Sequence, residues 1–147
     1  MSRTFTLNEA QTLLPVVEAL LRRAQAAVTR NEELEHEMQQ LAQRIFLSGG
    51  LNVDITAAAR QKAEREKIVQ EAKDSLAEID SIGVQVKDVD AGLLDFPCRL
   101  EDQVVLLCWQ MGETTIEHWH TVEDGFKGRQ PVDERFRRRS NSSNRPN

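Results

Sequence analysis

His118-Trp119-His120 sets two imidazoles two residues apart, a spacing at which side chains on one face of a strand can meet a single metal ion. Cys98, Asp95 and Glu113 are candidate third ligands, and the set read from the sequence is His118, His120 and Glu113 around a divalent metal ion. The same residues also admit acid–base chemistry, because histidine titrates near neutral pH. In that version His120 moves the proton, and Glu113 or Asp95 orients its ring. The structural alternative is two packed, hydrogen-bonded histidines with no ligand. No nucleophile elbow, phosphate-binding glycine loop or second paired ligand motif accompanies them, so the catalytic residues, reaction and substrate are open. Cys108, between Leu107 and Trp109, reads as a small buried hydrophobe rather than a nucleophile.

These residues fall in one part of the chain. Residues 83 to 132 contain both tryptophans, both cysteines and two of the three histidines. They close on Gly125-Phe-Lys-Gly-Arg-Gln-Pro131, where two glycines allow a tight backbone excursion and Arg129 is available to pair with a carboxylate or to bind an anion.

The elements that carry the candidate site read as strands. Val84 and Val86, then Leu93, Leu94 and Phe96, then Val104 to Trp109, then Ile116 to Trp119 alternate or run continuously apolar. Asp90-Ala-Gly92, Glu101-Asp102 and Met111-Gly112 supply turns, which predicts an antiparallel meander of three or four strands. A two-residue turn at Glu101-Asp102 sets Asp95 opposite Cys108, Phe96 opposite Leu107 and Cys98 opposite Val105. With a second two-residue turn at Met111-Gly112 or Gly112-Glu113, His118 and His120 share the core face with Phe96, Leu107 and Trp109. Asp95, Cys108, Glu117 and Trp119 then take the other face.

Two long helices precede the strands. Thr6-Leu-Asn-Glu9 is a capping box, with Phe5 placed to staple onto Ala10. Pro15 comes too late for the first turn, so it kinks this helix or begins a second segment after Leu14. Leu13, Val17, Leu20, Ala24, Ala27, Leu34, Met38, Leu41 and Ile45 form a heptad seam, with Asn31 in its one polar position. Ser48-Gly49-Gly50 ends the run. A second helix, capped by Asp54 or Thr56, carries Ile68, Val69, Ala72, Leu76 and Ile79 toward Gly83. The short connection demands an antiparallel hairpin with arms of roughly 40 Å at 1.5 Å per residue. Two helices leave their apolar stripes half covered, so the hairpin is expected to pair with a second copy as a homodimer. Glu33 and His36 have the Glu-x-x-His spacing of bundle di-iron sites, but only one copy exists and His36 lies off the seam, so a solvated face is the expectation. The fold class is therefore α+β, a long coiled-coil-like helical hairpin at 1–82 followed by a small antiparallel β module at 83–132 and a basic tail at 133–147.

Charge divides along the same line. Residues 1 to 126 carry 12 basic and 22 acidic side chains, a balance of −10, whereas residues 127 to 147 carry 7 basic and 2 acidic, a balance of +5. The acidic body argues against a broad nucleic-acid footprint, leaving only the tail as a nucleic-acid arm, and its plainer reading is a solubilising, mobile terminus. No run of about 18 apolar residues occurs and the first residues are polar. The expected location is therefore the cytoplasm, with no membrane partner and with Cys98 and Cys108 as reduced thiols.

Phe5-Thr-Leu-Asn-Glu-Ala10 with Leu13-Leu-Pro15, Val86-Lys-Asp88, Gly92-Leu-Leu-Asp-Phe-Pro97, Leu107-Cys-Trp109, Gly112-Glu113, Trp119-His120 and the Gly125 to Pro131 run together resemble the bacterial domain-of-unknown-function family numbered twenty-two-zero-three. The resemblance covers residues 5 to 132. It implies no established activity, but it implies that Lys87, Asp88, Asp95, Glu113, His120 and Arg129 belong to a signature in which His118 is less clearly included. It favours a polar cluster around Asp95, Glu113 and His120, against the register that separates Asp95 from His120; a bulge near Pro97 would bring them together. The function expected is that of a dimer carrying a small polar or metal-binding site in its β module. The alternative is a non-catalytic interaction module that recruits a protein or nucleic-acid partner.

Overall fold

The computed structural model describes residues 3–49 and 55–137. Helix α1 runs Leu7–Leu47 and helix α2 Ile55–Ile82, followed by β1 (Gln85–Asp88), β2 (Leu93–Leu100), β3 (Gln103–Gln110), β4 (His118–Thr121), a 3-10 turn at Phe126–Gly128 and β5 (Gln130–Pro131). The five strands form one antiparallel sheet in chain order, the meander expected plus one short edge strand. No helix among the described residues is long and apolar enough to cross a membrane.

Helix α1 starts where the capping box puts it. The Thr6 amide donates to Glu9 Oε1 at 2.9 Å, and the Glu9 amide donates to Thr6 Oγ1 at 3.1 Å. It then continues through Pro15 as one helix, so no second segment begins there. Gly49 takes φ 69° just past the last turn, the left-handed backbone that glycine supplies at helix ends. Asp54, one of the two proposed caps of α2, lies outside the described residues, and Thr56 is already inside the helix.

The chain divides into two compact units, Met1–Leu21 with Leu76–Asn147, and Arg22–Ser75. In the second, Ala27, Leu34 and Ile68 are buried with Ala72 against them. Arg30 pairs with Glu64 at 2.8 Å and Arg65 with Glu35 at 3.1 Å. Met38, Leu41 and Ile45 continue the seam only partly buried, while Phe46 is 83 % and Ile55 74 % exposed. Asn31 donates to Glu35 one turn on at 3.5 Å. Glu33 bonds Arg30 and His36 is exposed, so the Glu-x-x-His run is a solvated face.

In the first unit the apolar face of the sheet, Leu94, Phe96, Cys98, Leu100, Val105, Leu107, Trp109 and Trp119, closes on Phe5, Ala10, Leu14, Val17 and Ile79. The β2–β3 hairpin has the register that a two-residue turn dictates: Asp95 faces Cys108, Phe96 faces Leu107 and Cys98 faces Val105. Glu101 and Asp102 both hold positive φ, 50° and 65°, as a hairpin turn that follows the sheet twist requires.

The next connection differs from expectation. Seven residues, Met111 to Glu117, separate β3 from β4, and the pairing is Cys108 with His118, Leu107 with Trp119 and Leu106 with His120. The parity of β4 is thus the reverse of the two-residue-turn prediction: Trp119 enters the core, and both histidines share the opposite face with Asp95 and Cys108. A non-local anchor sets this length. The Gln11 side chain accepts from the Ile116 amide at 3.1 Å and donates to the Ile116 carbonyl at 3.3 Å, which pins the loop so that Ile116 is buried. The folded body also reaches past residue 132. A helical turn at 134–137 buries Phe136 completely, with its ring 5.5 Å from that of Trp119, because an aromatic side chain in an otherwise charged segment has apolar area to hide.

Candidate functional site

The three central strands, β2 to β4, each contribute a buried polar group to the face turned away from the apolar core. Asp95 on β2, Cys108 on β3 and His120 on β4 are 1 %, 0 % and 3 % exposed. The His120 Nε2 atom lies 3.1 Å and 3.2 Å from the two Asp95 oxygens. Its Nδ1 lies 2.7 Å from the Thr121 carbonyl oxygen, which can only accept, so Nδ1 carries a hydrogen. Nε2 is therefore the ring nitrogen turned to the carboxylate. Among the described residues, only Asp95, Cys108 and His120 form a group of three metal-ligand side chains whose donor atoms all lie within 4.8 Å of one another.

Cys108 sits between two charges. Burial, and after it the neighbouring Asp95 carboxylate, push its thiol up to about 12, while the Arg129 guanidinium pulls the other way. Cys98 points instead into the apolar core, which removes it as a partner of the histidines. Neither cysteine is in a disulfide.

A second polar group adjoins the first. Arg129 Nη2 donates to both Glu113 oxygens at 2.7 Å and 2.9 Å and to the Cys108 carbonyl at 3.1 Å. The Phe126 ring stacks 4.8 Å from its guanidinium carbon. Glu113 is held from several sides: its carboxylate accepts from the Gln110 amide at 2.6 Å, its own amide donates to the Gln110 carbonyl at 3.0 Å, and its carbonyl accepts from Trp109 Nε1 at 2.9 Å. Burial works to raise the Glu113 carboxyl, but the Arg129 and Gln110 hydrogen bonds outweigh it and hold the group below the usual carboxylate range. His118 Nδ1 lies 3.3 Å from Glu113 Oε2 without forming a hydrogen bond.

Of the residues singled out from the sequence, Asp95 and His120 meet directly, Glu113 and Arg129 meet directly, and Cys108 stands between the two pairs. His118 adjoins Glu113 rather than the Asp95 pair. Lys87 and Asp88 are exposed, and Asp88 accepts from the Ala91 amide at 3.0 Å in the β1–β2 turn, so neither belongs to the buried cluster. No bulge at Pro97 is needed, since the β2–β3 ladder runs unbroken and the longer β3–β4 connection brings His120 to Asp95. Cys108, expected as a small buried hydrophobe, is buried and also joins the polar cluster, beside the Asp95 with which the register pairs it.

The model of an uncharacterized conserved protein family, DUF2203, matches residues 3–132, nearly the whole of the described chain. The chain belongs to the DUF2203 family. That match spans both helices, the sheet and Arg129. No curated protein and no solved structure matches this DUF2203 chain.

Proposed function

We propose that this DUF2203 protein is a metal-binding protein whose β module holds a divalent transition metal ion through Asp95, Cys108 and His120. The observation that carries this reading is the convergence of a carboxylate, a thiol and an imidazole on one buried spot. Ligands about 2.0–2.1 Å from a tetrahedral ion stand about 3.3 Å from each other, close to the 3.1 Å and 3.2 Å between His120 Nε2 and Asp95. The Nδ1–H bond to Thr121 matches the outer-shell bond that orients metal-bound histidines and leaves Nε2 as the ligand. Charge supports burial as well. A carboxylate and a thiolate neutralise a divalent ion, while Arg129 and Glu113 neutralise each other. One nitrogen, one oxygen and one sulfur donor suit zinc better than magnesium or calcium.

Metal content of purified protein, before and after chelation and reloading with zinc, tests the reading. Close to one zinc per chain is expected in wild type and almost none in Asp95→Asn or Cys108→Ser; absence of stoichiometric zinc in reloaded wild type would remove it. Proton release is a second signature. A thiol pushed up to about 12 is protonated at pH 7, so zinc must displace that proton. Calorimetry in buffers of different ionisation enthalpy should therefore count at least one proton released per zinc bound in wild type. Zinc binding with no proton release would show that Cys108 is no ligand.

The helical hairpin supplies assembly in this reading. Partly covered Met38, Leu41 and Ile45, with exposed Phe46 and Leu47, offer a second copy an apolar face of the kind that completes a four-helix arrangement. Light scattering on a sizing column should give twice the mass of one chain for wild type and a single-chain mass for the Leu41→Glu, Phe46→Glu double variant. A monomeric wild type at tens of micromolar would dismiss the dimer.

A further inference from the structure

The two polar pairs leave one element of the face without a role. Arg129 directs Nη2 to Glu113 and the Cys108 carbonyl, yet its Nε is buried and has no acceptor among the described residues. His118 Nδ1, on the other side of Glu113, is also buried without a hydrogen bond. An unsatisfied buried donor costs on the order of 1–3 kcal/mol, so the Arg129 Nε–H points to a partner that supplies an acceptor. Asp95, Cys108 and His120 provide three ligands, and a tetrahedral ion takes four. The guanidinium adjoins Cys108, one of the three. A ligand that completes the ion's coordination at this spot therefore meets the guanidinium as a neighbouring cation.

We infer that the metal-loaded site binds a small oxyanion, a carboxylate or a phosphate, with one oxygen on the ion and another on the Arg129 Nε–H. The inference rests on the metal reading above and adds the class of ligand. An oxyanion suits both partners because it carries several acceptor oxygens on one centre, one for the ion and one for an N–H. Glu113 has a positioning role: gripping Nη2 through both carboxylate oxygens, it holds the guanidinium against β3.

The test uses full-length protein loaded with cobalt(II), whose visible spectrum reports its ligands. Cobalt content is measured first, then inorganic phosphate and acetate are titrated in separate arms. At least one anion should change the spectrum saturably, and the arm that responds identifies the oxyanion class. Arg129→Met should retain stoichiometric cobalt but bind that anion about tenfold more weakly or worse, the loss expected for a charge-assisted hydrogen bond. Arg129→Lys keeps the positive charge without the Nε–H; it should fold where the methionine variant does not, and it should also bind more weakly than wild type. No saturable change with either anion would overturn the inference, as would equal affinity in wild type and a folded Arg129 variant. Failure of wild type to hold cobalt is a different result, visible before any anion is added, and it would overturn the metal reading together with the ligand class built on it.

Discussion

Asp95→Ala is expected to destabilise the metal-free protein by about 3–5 kcal/mol, the range found when one partner of a buried ion pair is removed. Asp95 and His120 are 1 % and 3 % exposed, so water cannot replace what the substitution takes away. Thr121 occupies Nδ1 of the ring, and loss of Asp95 leaves Nε2 buried against a cavity and the Cys108 thiol. Asp95→Asn retains an acceptor and nearly the same volume, so it should lose less stability while losing metal. Urea unfolding of the two variants, of His120→Ala and of the Asp95, His120 double variant gives a cycle. The double variant should be clearly less damaged than the sum of the single ones, because the second substitution removes the group that the first one stranded. An Asp95→Ala midpoint within error of wild type would mean that the pair is not formed.

Glu113→Ala follows with a cost of about 2–3 kcal/mol, scaled down from the buried-pair range because Glu113 retains 24 % side-chain exposure. The substitution strands Arg129, itself only 15 % exposed, and takes the acceptor from the Gln110 amide. The effect also has a pH signature. The folded-state carboxyl lies below its unfolded value, so its contribution is present above that value, about 4.3, and is lost as pH falls through the folded one. Glu113→Gln should therefore flatten the fall of stability with pH below about 5. An acid limb of unchanged slope in that variant would contradict the Arg129 pairing.

Both predictions concern a constellation that the sequence disclosed in parts. The capping box of α1 and Gly49 past its last turn are local signals, each formed by residues within a turn of one another, and they appear as read. The β2–β3 register was equally legible, because a two-residue turn at Glu101-Asp102 leaves one pairing and strand parity does the rest. Asp95 opposite Cys108 is a consequence of that turn alone.

Tertiary structure decided where β4 lies. Glu113 ties the near end of the Met111 to Glu117 connection to Gln110 and Trp109, and Ile116, bonded to the Gln11 side chain 105 residues away in the chain, pins its far end. Changing the connection by one residue turns every side chain of β4 over, so this contact determines whether His120 faces the apolar core or Asp95. Arg129 is a similar case. Its type announced an ion pair, but the choice of Glu113 as partner, and of Cys108 as neighbour, follows from the return of the chain through the 3-10 turn at Phe126–Gly128. The sequence by itself thus determined the helices, the central hairpin and the residue types capable of chemistry, all of which depend on near neighbours. Convergence of Asp95, Cys108 and His120 depends on contacts between distant segments, and only the folded chain brings those together.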